Sequence, residues 1–114
     1  RYRPRDHALV PLLEDALRTT LSEAALGQSC VKHGAALLII TAIYERITGK
    51  YGQRGHRYAH MEVGYASENI HLQAVALGLA TVAVGAFHDE RVQELLNLPA
   101  NERTLLIMPV GRPY

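Results

Sequence analysis

Two positions in the sequence follow β-rich stretches and could bind a ligand there. Gly85 ends the β-rich residues 80–84, and a glycine at the end of a buried strand lets backbone N–H groups approach a ligand closely. Arg112 follows the last apolar stretch of the chain, where a guanidinium can hold a phosphate through two parallel hydrogen bonds. A solvated surface arginine explains the position of Arg112 equally well, so the spacing leaves both interpretations open.

Histidine also invites a chemical interpretation, because the chain contains six. His56 and His60 would share one face of a helix if that helix begins early, but a zinc site needs three or four ligands. Glu62 would lie on another part of the helix, and His71 would lie roughly 16 Å from His60 at the helical rise per residue. We therefore predict no metal site.

The polar residues 44–56 form the candidate segment for a ligand-facing connection. They include three glycines together with Arg46, Lys50 and Arg54, and charged, glycine-containing connections between buried elements often carry binding sites. A solvated connector is the simpler interpretation, and the sequence favours it. GxSxG, P-loop and GxGxxG patterns do not occur, so serine hydrolysis and nucleotide binding by a glycine-rich loop lack their usual motifs.

Residues 57–87 contain the unit around which we expect the rest of the chain to pack: a long helix, a glycine stop, a short strand and a glycine turn. The helix has no proline and many good helix formers, and Gly78 is placed to end it in the left-handed conformation, with Leu79 making the following apolar contact. Its apolar side chains point in most directions, so nearly every side must be covered. Because a chain this short offers little cover, we expect a second subunit to contribute.

Shorter elements are predicted before this unit. Residues 1–10 form a hairpin, and residues 11–19 form a loop or a short helical turn. Thr20 and Glu23 match a capping box that would open a helix running from residue 21 to about residue 32. Gly27 lies inside that helix and costs about 1 kcal/mol relative to alanine, so the helix is either closely packed or bent there.

Continuous apolar runs at residues 35–42 and 104–110 predict fully buried strands on the two sides of the long helix. Residues 88–96 alternate charged and apolar side chains and predict an amphipathic helix. Buried strands separated by helices indicate an α+β architecture with a small central sheet.

Composition restricts the function further. With 114 residues and 48% hydrophobic residues, the chain allows one domain with a modest core, and its formal charge of +1 gives no broad attraction for nucleic acid. Apolar runs stay below the roughly 18 residues of a membrane span. The single cysteine, Cys30, cannot form an intrachain disulfide, which fits a reducing cytoplasm.

Four segments, taken in order, closely resemble the FMN-dependent nitroreductase superfamily. They are RYRPRDHALVPL, then AALGQ, then TAIYERITGKYGQRGHRYAHMEVGYASENIHLQAVALGLATVAVGAF, and finally IMPVGRP. Within the superfamily the match is to the SagB-type branch, which includes the thiazoline and oxazoline dehydrogenases of modified-peptide biosynthesis. The resemblance implies a nitroreductase-like fold, bound FMN, NAD(P)H as electron donor when the flavin is to be reduced, and an intertwined homodimer with flavin at the subunit interface.

The resemblance also implies flavin contacts for individual residues. The family's turn after the strand that follows the long helix lies against the flavin ring. Here that turn corresponds to Val84, Gly85 and Ala86, whose amides would donate hydrogen bonds near N5. Arg112, in the terminal GRP, resembles a contact to the flavin phosphate.

A proton-transfer pair is implied in the same way. The azoline dehydrogenases use a lysine–tyrosine pair to take a proton from the substrate, and the literal pair here is Lys50–Tyr51, with Arg57–Tyr58 as a looser second candidate. A phenol needs a neighbouring cation to act as a base, and Lys50 or Arg57 could supply it.

Two functional hypotheses from different classes follow. The family's N-terminal portion, with an RRS-like segment that grips the flavin, has no counterpart in residues 1–114, so we expect a single partial nitroreductase-like domain. The first hypothesis is an FMN-dependent oxidoreductase that transfers hydride through flavin N5 and acts on a small molecule or a peptide, with azoline dehydrogenation as one form. The alternative is a non-catalytic dimerising or accessory module that binds no flavin.

Overall fold

The computed structural model describes residues 1–11 and 17–113, and its elements confirm the predicted α+β class. In chain order these elements are β1 (Tyr2–Arg3), β2 (Ala8–Leu9), α1 (Arg18–Ala24), α2 (Ser29–His33), β3 (Ala36–Ala42), α3 (Glu45–Tyr51), α4 (Arg54–Ala76), β4 (Ala80–Thr81), α5 (Asp89–Leu95) and β5 (Arg103–Gly111). The predicted N-terminal hairpin is confirmed as the antiparallel pair β1–β2. Residues 12–16, within the predicted loop or turn, lie outside the described residues.

A three-stranded antiparallel sheet in the order β3-β5-β4 forms the centre of the fold. β3 pairs along its whole length with β5, from Ala36 opposite Val110 to Ala42 opposite Arg103. The predicted strand at residues 80–84 is only partly formed, because the chain leaves the sheet after Thr81. It returns for an isolated bridge in which Val84 pairs with Ile107.

The core lies between this sheet and helices α1, α2 and α5. Its fully or almost fully buried members share apolar side chains of modest size and comprise Leu21, Ala24, Ala25, Val31, Val84, Val92 and Ile107. Ile107 is completely buried because β5 is the middle strand of the sheet. The prediction that residues 35–42 are fully buried was wrong, since β3 has a strand neighbour on one side only among the described residues and Leu38 remains 43% exposed.

The helix predicted from residue 21 to about residue 32 is two helices instead. Leu26 and Gly27 have φ values of 60° and 71°, so the chain leaves the right-handed helical region between α1 and α2. The capping box is also absent, because α1 begins at Arg18 and Thr20 already lies in its first turn. The Thr20 hydroxyl donates to the carbonyl of Leu17 at 3.0 Å instead of accepting from a backbone amide.

The long helix is confirmed as α4 and begins three residues earlier than predicted, at Arg54. It ends as expected at Gly78, which has a φ of 69°. The Leu79 amide donates to the Ala74 carbonyl at 2.8 Å and the Gly78 amide to the Val75 carbonyl at 3.0 Å. These two bonds form a Schellman motif, which satisfies carbonyls that the helix end would otherwise leave unpaired.

Within this chain α4 is not buried on every side, although its composition predicts a buried helix. Its buried residues are Gly55, Ala59, Ser67 and Ala74. Large apolar side chains elsewhere on the helix remain 49–74% exposed, namely Met61, Tyr65, Leu72 and Val75. The sheet and α3 therefore cover one side of α4, and its other apolar surface has no cover among the described residues.

Candidate functional site

The predicted flavin-contacting turn leaves the core immediately after Val84. The Val84 side chain is 3% exposed, its amide donates to the Ile107 carbonyl at 2.9 Å, and its carbonyl accepts from the Ile107 amide at 3.0 Å. The prediction that the Val84 amide is available to a ligand therefore needs correction, because the sheet already uses it. Gly85 and Ala86 are exposed, and their amides donate to no described residue.

Gln28 holds this turn in place. Its side-chain amide donates to the Ala86 carbonyl at 2.9 Å and to the Ala25 carbonyl at 3.0 Å. One side chain thus joins the turn to the α1–α2 connection. Sequence reasoning assigned no role to Gln28, although it lies in the AALGQ segment. Its bond to the Ala86 carbonyl joins residues 58 positions apart, and such a contact leaves no periodic signal in the sequence.

Arg112 lies just beyond β5 and is exposed, without an ion pair to the described part of the chain. The adjacent Gly111 lines a small cavity of about 190 Å³ together with Thr81 and Cys30. The Thr81 hydroxyl is buried and has no hydrogen-bond partner among the described residues. This end of the sheet thus combines an available cation with an unused hydroxyl.

The predicted flavin contacts fall in two places along β5. The turn that follows Val84 lies beside Ile107, and Arg112 lies beyond the end of the strand. Val84 pairs with Ile107, and Arg112 follows Ile107 by five residues, one residue past the end of β5. At about 3.3 Å per residue the separation along the strand is roughly 16 Å. Only an elongated ligand could contact both places.

The predicted pair Lys50–Tyr51 lies at the end of α3. The Lys50 ammonium stands over the Tyr51 ring, with Nζ 5.0 Å from the ring centroid. The Tyr51 and Tyr58 rings meet edge to face, with centroids 5.2 Å apart, so the structure brings together the tyrosines of both candidate pairs. Tyr51 is 46% exposed, which leaves its ring open to a partner or substrate.

The α3–α4 unit and the sheet turn are nevertheless separate groups in this chain. Among the described residues, hydrogen bonds, ion pairs and aromatic contacts do not join Lys50 or Tyr51 to Gly85, Ala86 or Arg112. The proton-transfer pair and the candidate flavin edge are therefore not assembled into one site by these contacts.

The two histidines considered as metal ligands pack against a tyrosine. Tyr44 Oη lies 2.7 Å from His60 Nε2, and the Tyr44 ring contacts the His56 ring at a centroid distance of 4.6 Å. Burial raises the pKa of Tyr44, the negative charge of Asp89 raises it further, and Arg103 partly opposes this rise. In the part of the chain that the structure describes, groups of three or more metal-binding side chains do not occur.

Sequence reasoning missed a buried carboxylate, Glu102, which lies beside the C-terminal end of β3. Glu102 is 4% exposed, accepts a hydrogen bond from the Thr41 hydroxyl at 2.6 Å and forms an ion pair with Arg1. Burial opposes its ionisation, but the hydrogen bonds from Thr41 and Arg1 and the charges of Arg1 and Arg46 outweigh burial and lower the pKa of Glu102. Residues 101–103 look like an ordinary polar turn, so the sequence contains no sign of this environment.

Comparison with known proteins gives a consistent result. The sequence profile of the nitroreductase family matches residues 1–112. A provisionally named nitroreductase of Methanocaldococcus jannaschii is 46% identical over 112 residues, which are 98% of this chain and 56% of that protein. The chain thus spans about half the length of this curated relative.

The helices of the described residues include none that is long and apolar enough to cross a membrane.

Solved structures agree with the sequence comparison. A crystal structure from Anabaena variabilis, provisionally described as a nitroreductase, superimposes with a TM-score of 0.81 at 32% identity and covers 88% of this chain and 20% of its own. The NADPH:FMN oxidoreductase of Vibrio harveyi, complexed with NAD+, superimposes with a TM-score of 0.75 at 26% identity and covers 89% of this chain and 48% of its own.

Proposed function

The chain belongs to the nitroreductase family, and we propose that it forms the C-terminal part of an FMN-dependent oxidoreductase. The observation that carries the proposal is the family match over residues 1–112. A structural relative at 26% identity is an NADPH:FMN oxidoreductase, which supports the same chemistry. Because this chain spans about half of its relatives, the activity is proposed for the whole protein.

The described residues fit one wall of a flavin site. The exposed amides of Gly85 and Ala86 can donate to the edge of a planar ring, and Arg112 can bind a phosphate about 16 Å along the strand. The cavity of about 190 Å³ beside Gly111 is smaller than the roughly 300–1,000 Å³ of typical cofactor sites. A second wall must therefore come from residues other than those described here or from another subunit.

The predicted site residues other than Val84 have roles in this proposal. FMN, when bound, would supply hydride transfer through N5. Gly85 and Ala86 would orient the ring, and Arg112 would hold the phosphate. Tyr51 would take a proton from the substrate, with the Lys50 ammonium beside its ring.

The SagB-type assignment makes the proposal more specific. Azoline dehydrogenation of a peptide would use Lys50 and Tyr51 as the proton-removing pair, whereas a nitroreductase reaction would run in the reducing direction with NAD(P)H. The exposed ring of Tyr51 suits a bulky substrate such as a peptide.

The single cysteine fits the reducing cytoplasm, and we propose that the protein is located there.

A homodimer is part of the same proposal. The exposed apolar side chains of α4, Met61, Tyr65, Leu72 and Val75, recur at intervals of three, four or seven residues and so follow one face of the helix. A second copy that packs against this face would remove them from water. It would also bring a second set of residues near the flavin wall.

The alternative function is a dimerising module that binds no flavin. The observations that favour it are the Val84 amide, which the sheet already uses, and the small volume beside Arg112. The visible absorption spectrum distinguishes the two functions. The flavoprotein proposal requires that the complete protein is yellow, or becomes yellow with added FMN, whereas a complete protein that stays colourless supports the alternative.

Two substitutions test the residue roles. Arg112→Ala should weaken FMN binding about tenfold through loss of a charge-assisted contact, whereas Arg5→Ala, an exposed arginine of the hairpin turn, should not. In the complete flavin-loaded protein, Tyr51→Phe should leave FMN bound and slow turnover, with Tyr58→Phe as the comparison. Unchanged turnover in Tyr51→Phe would exclude Tyr51 from proton transfer.

A further inference from the structure

A groove along the edge strand β3 has the dimensions of a ligand site but contains none of the predicted flavin or proton-transfer residues. It encloses about 640 Å³, which is within the usual range for small-molecule sites. The edge of β3 lines it, with Leu37 and Ile39 on the side of the sheet that packs against the core and Leu38 on the opposite side. Leu96 and Leu98 also line it.

One end of the groove is polar. Thr41, Glu102, Arg1 and Arg46 line it. The Glu102 carboxylate is already neutralised, because it accepts from Thr41 at 2.6 Å and pairs with Arg1. Arg46 is exposed, lies close enough to favour the ionised form of Glu102, and makes no ion pair with the described residues.

Among the residues that the structure describes, the charges at this end therefore leave one guanidinium in excess. Arg46 stands where the apolar edge of β3 ends, since β3 runs from Leu37 to Thr41 over about 13 Å and the chain then enters α3. A ligand that fits both parts needs an aliphatic body and a single anionic end. A guanidinium binds a carboxylate through two parallel hydrogen bonds.

We propose that this groove binds a medium-chain aliphatic carboxylate, with its chain along Leu37, Leu38 and Ile39 and its carboxylate on Arg46. The burial of aliphatic carbon supplies the affinity and the arginine supplies the preference for an anion. This site does not depend on the proposed flavin chemistry, because none of its residues belongs to the turn at Gly85 or to the Lys50–Tyr51 pair.

Octanoate is a suitable probe, and its neutral isostere octanamide is the matched ligand. Titration of the isotope-labelled protein, followed by NMR, should move the backbone amide signals of β3 in a saturable manner. Octanamide should bind about tenfold more weakly because it cannot form the charge-assisted bond to Arg46. Equal affinity for the two ligands would overturn the proposal. So would the absence of saturable binding, or octanoate-induced shifts that are confined to the backbone amides of α4.

Two pairs of variants locate the site. Arg46→Gln should weaken octanoate about tenfold and leave octanamide unchanged, whereas Arg57→Gln, an exposed arginine of α4, should change neither. Leu38→Asp should abolish binding by placing a charge on the apolar edge of β3, whereas Leu72→Asp on the exposed face of α4 should not. An unchanged octanoate affinity in Arg46→Gln or Leu38→Asp contradicts the proposed site.

Discussion

The strand β5 and the helix α4 are the longest elements of their kinds in the described chain, yet they differ in how this chain covers them. β5 has strand neighbours on both sides and buries Ile107 and Met108 completely. α4 has 23 residues, of which four are buried. β5 is covered within the chain, whereas α4 has an apolar surface that the described residues leave uncovered.

This difference teaches that apolar content predicts the need for burial but not where the cover comes from. Both elements form for local reasons, namely β-branched and aliphatic residues in β5 and a proline-free run with many good helix formers in α4. The exposed side chains of α4 cost free energy in water. They are consistent with an interface more than with a solvated helix face.

The strongest test of the comparison removes one apolar side chain from each element. Ile107→Ala should lower the free energy of unfolding by about 2–5 kcal/mol, because it leaves a cavity in a fully buried position. Leu72→Ala, at a position that is 61% exposed, should change the free energy of unfolding of the single chain by no more than about 0.5 kcal/mol. Urea denaturation at low protein concentration measures both.

Equal losses from the two variants would contradict the comparison, since they would mean that α4 is already covered. A Leu72→Ala loss that grows with protein concentration would instead show that its cover is another copy of the chain.

The elements of the fold could be predicted where a local pattern decides them. Gly78 and Leu79 identified the end of α4 because the Schellman motif needs only neighbouring residues. A bend at Gly27 was one of two predicted alternatives, but the complete break was missed because a leucine with positive φ at Leu26 contradicts its ordinary preference. There the core contacts of α1 and α2 outweigh local propensity, and such contacts cannot be deduced from spacing.

The second prediction asks whether α4 packs against α4 of another copy. Leu72→Glu should weaken self-association at least about tenfold, because the interface would have to bury an unpaired carboxylate. Leu9→Glu is the matched control, since Leu9 is 80% exposed in the hairpin. Sedimentation equilibrium measures the dissociation constant. A monomeric parent protein, or equal effects of the two variants, would argue against a dimer through this face.

The third prediction compares two glycines at α4 that have equal space but different backbone conformations. A Cβ at Gly78 or at Gly64 would have no heavy atom within 4 Å, but only Gly78 has a positive φ. Gly78→Ala should therefore destabilise by about 1 kcal/mol. Gly64→Ala should stabilise by about 0.5–1 kcal/mol because it removes a flexible residue from a helix interior. Thermal unfolding of both variants would reveal these opposite signs, and a shared sign would contradict the backbone explanation.

The candidate site was less predictable than the fold, for reasons visible at three residues. Gly85 could be identified as a turn residue from its place after a β-rich stretch. The Val84 amide could not be excluded in advance, because its bond to Ile107 depends on a long-range strand register. Glu102 was missed because its burial requires Arg1 and Thr41, which are distant in sequence.

The smallest effect concerns pH and should come from the sheet rather than from α4. The folded pKa of Glu102 is lower than its ordinary value of 4.5, so the folded state binds fewer protons than the unfolded state in this range. This stabilisation is fully present above about pH 4.5 and is lost as the pH falls through the lower folded value. We expect a change below about 1 kcal/mol, because Arg1 is half-exposed and solvent screens the pair.

Glu102→Gln should remove this part of the acid dependence, while Glu23→Gln, at an exposed carboxylate paired with Arg91 at 3.1 Å, should retain it because Glu102 is intact. The free energy of unfolding of each variant, measured by urea denaturation from pH 7 to pH 3, gives the slopes to compare. The slopes of the free energy of unfolding against pH are compared, because the glutamine amide of Glu102→Gln can change the stability by the same amount at every pH. If the Glu102→Gln slope matches that of the parent protein, the acid-sensitive group lies elsewhere, and the sheet is no more dependent on pH than the exposed helix.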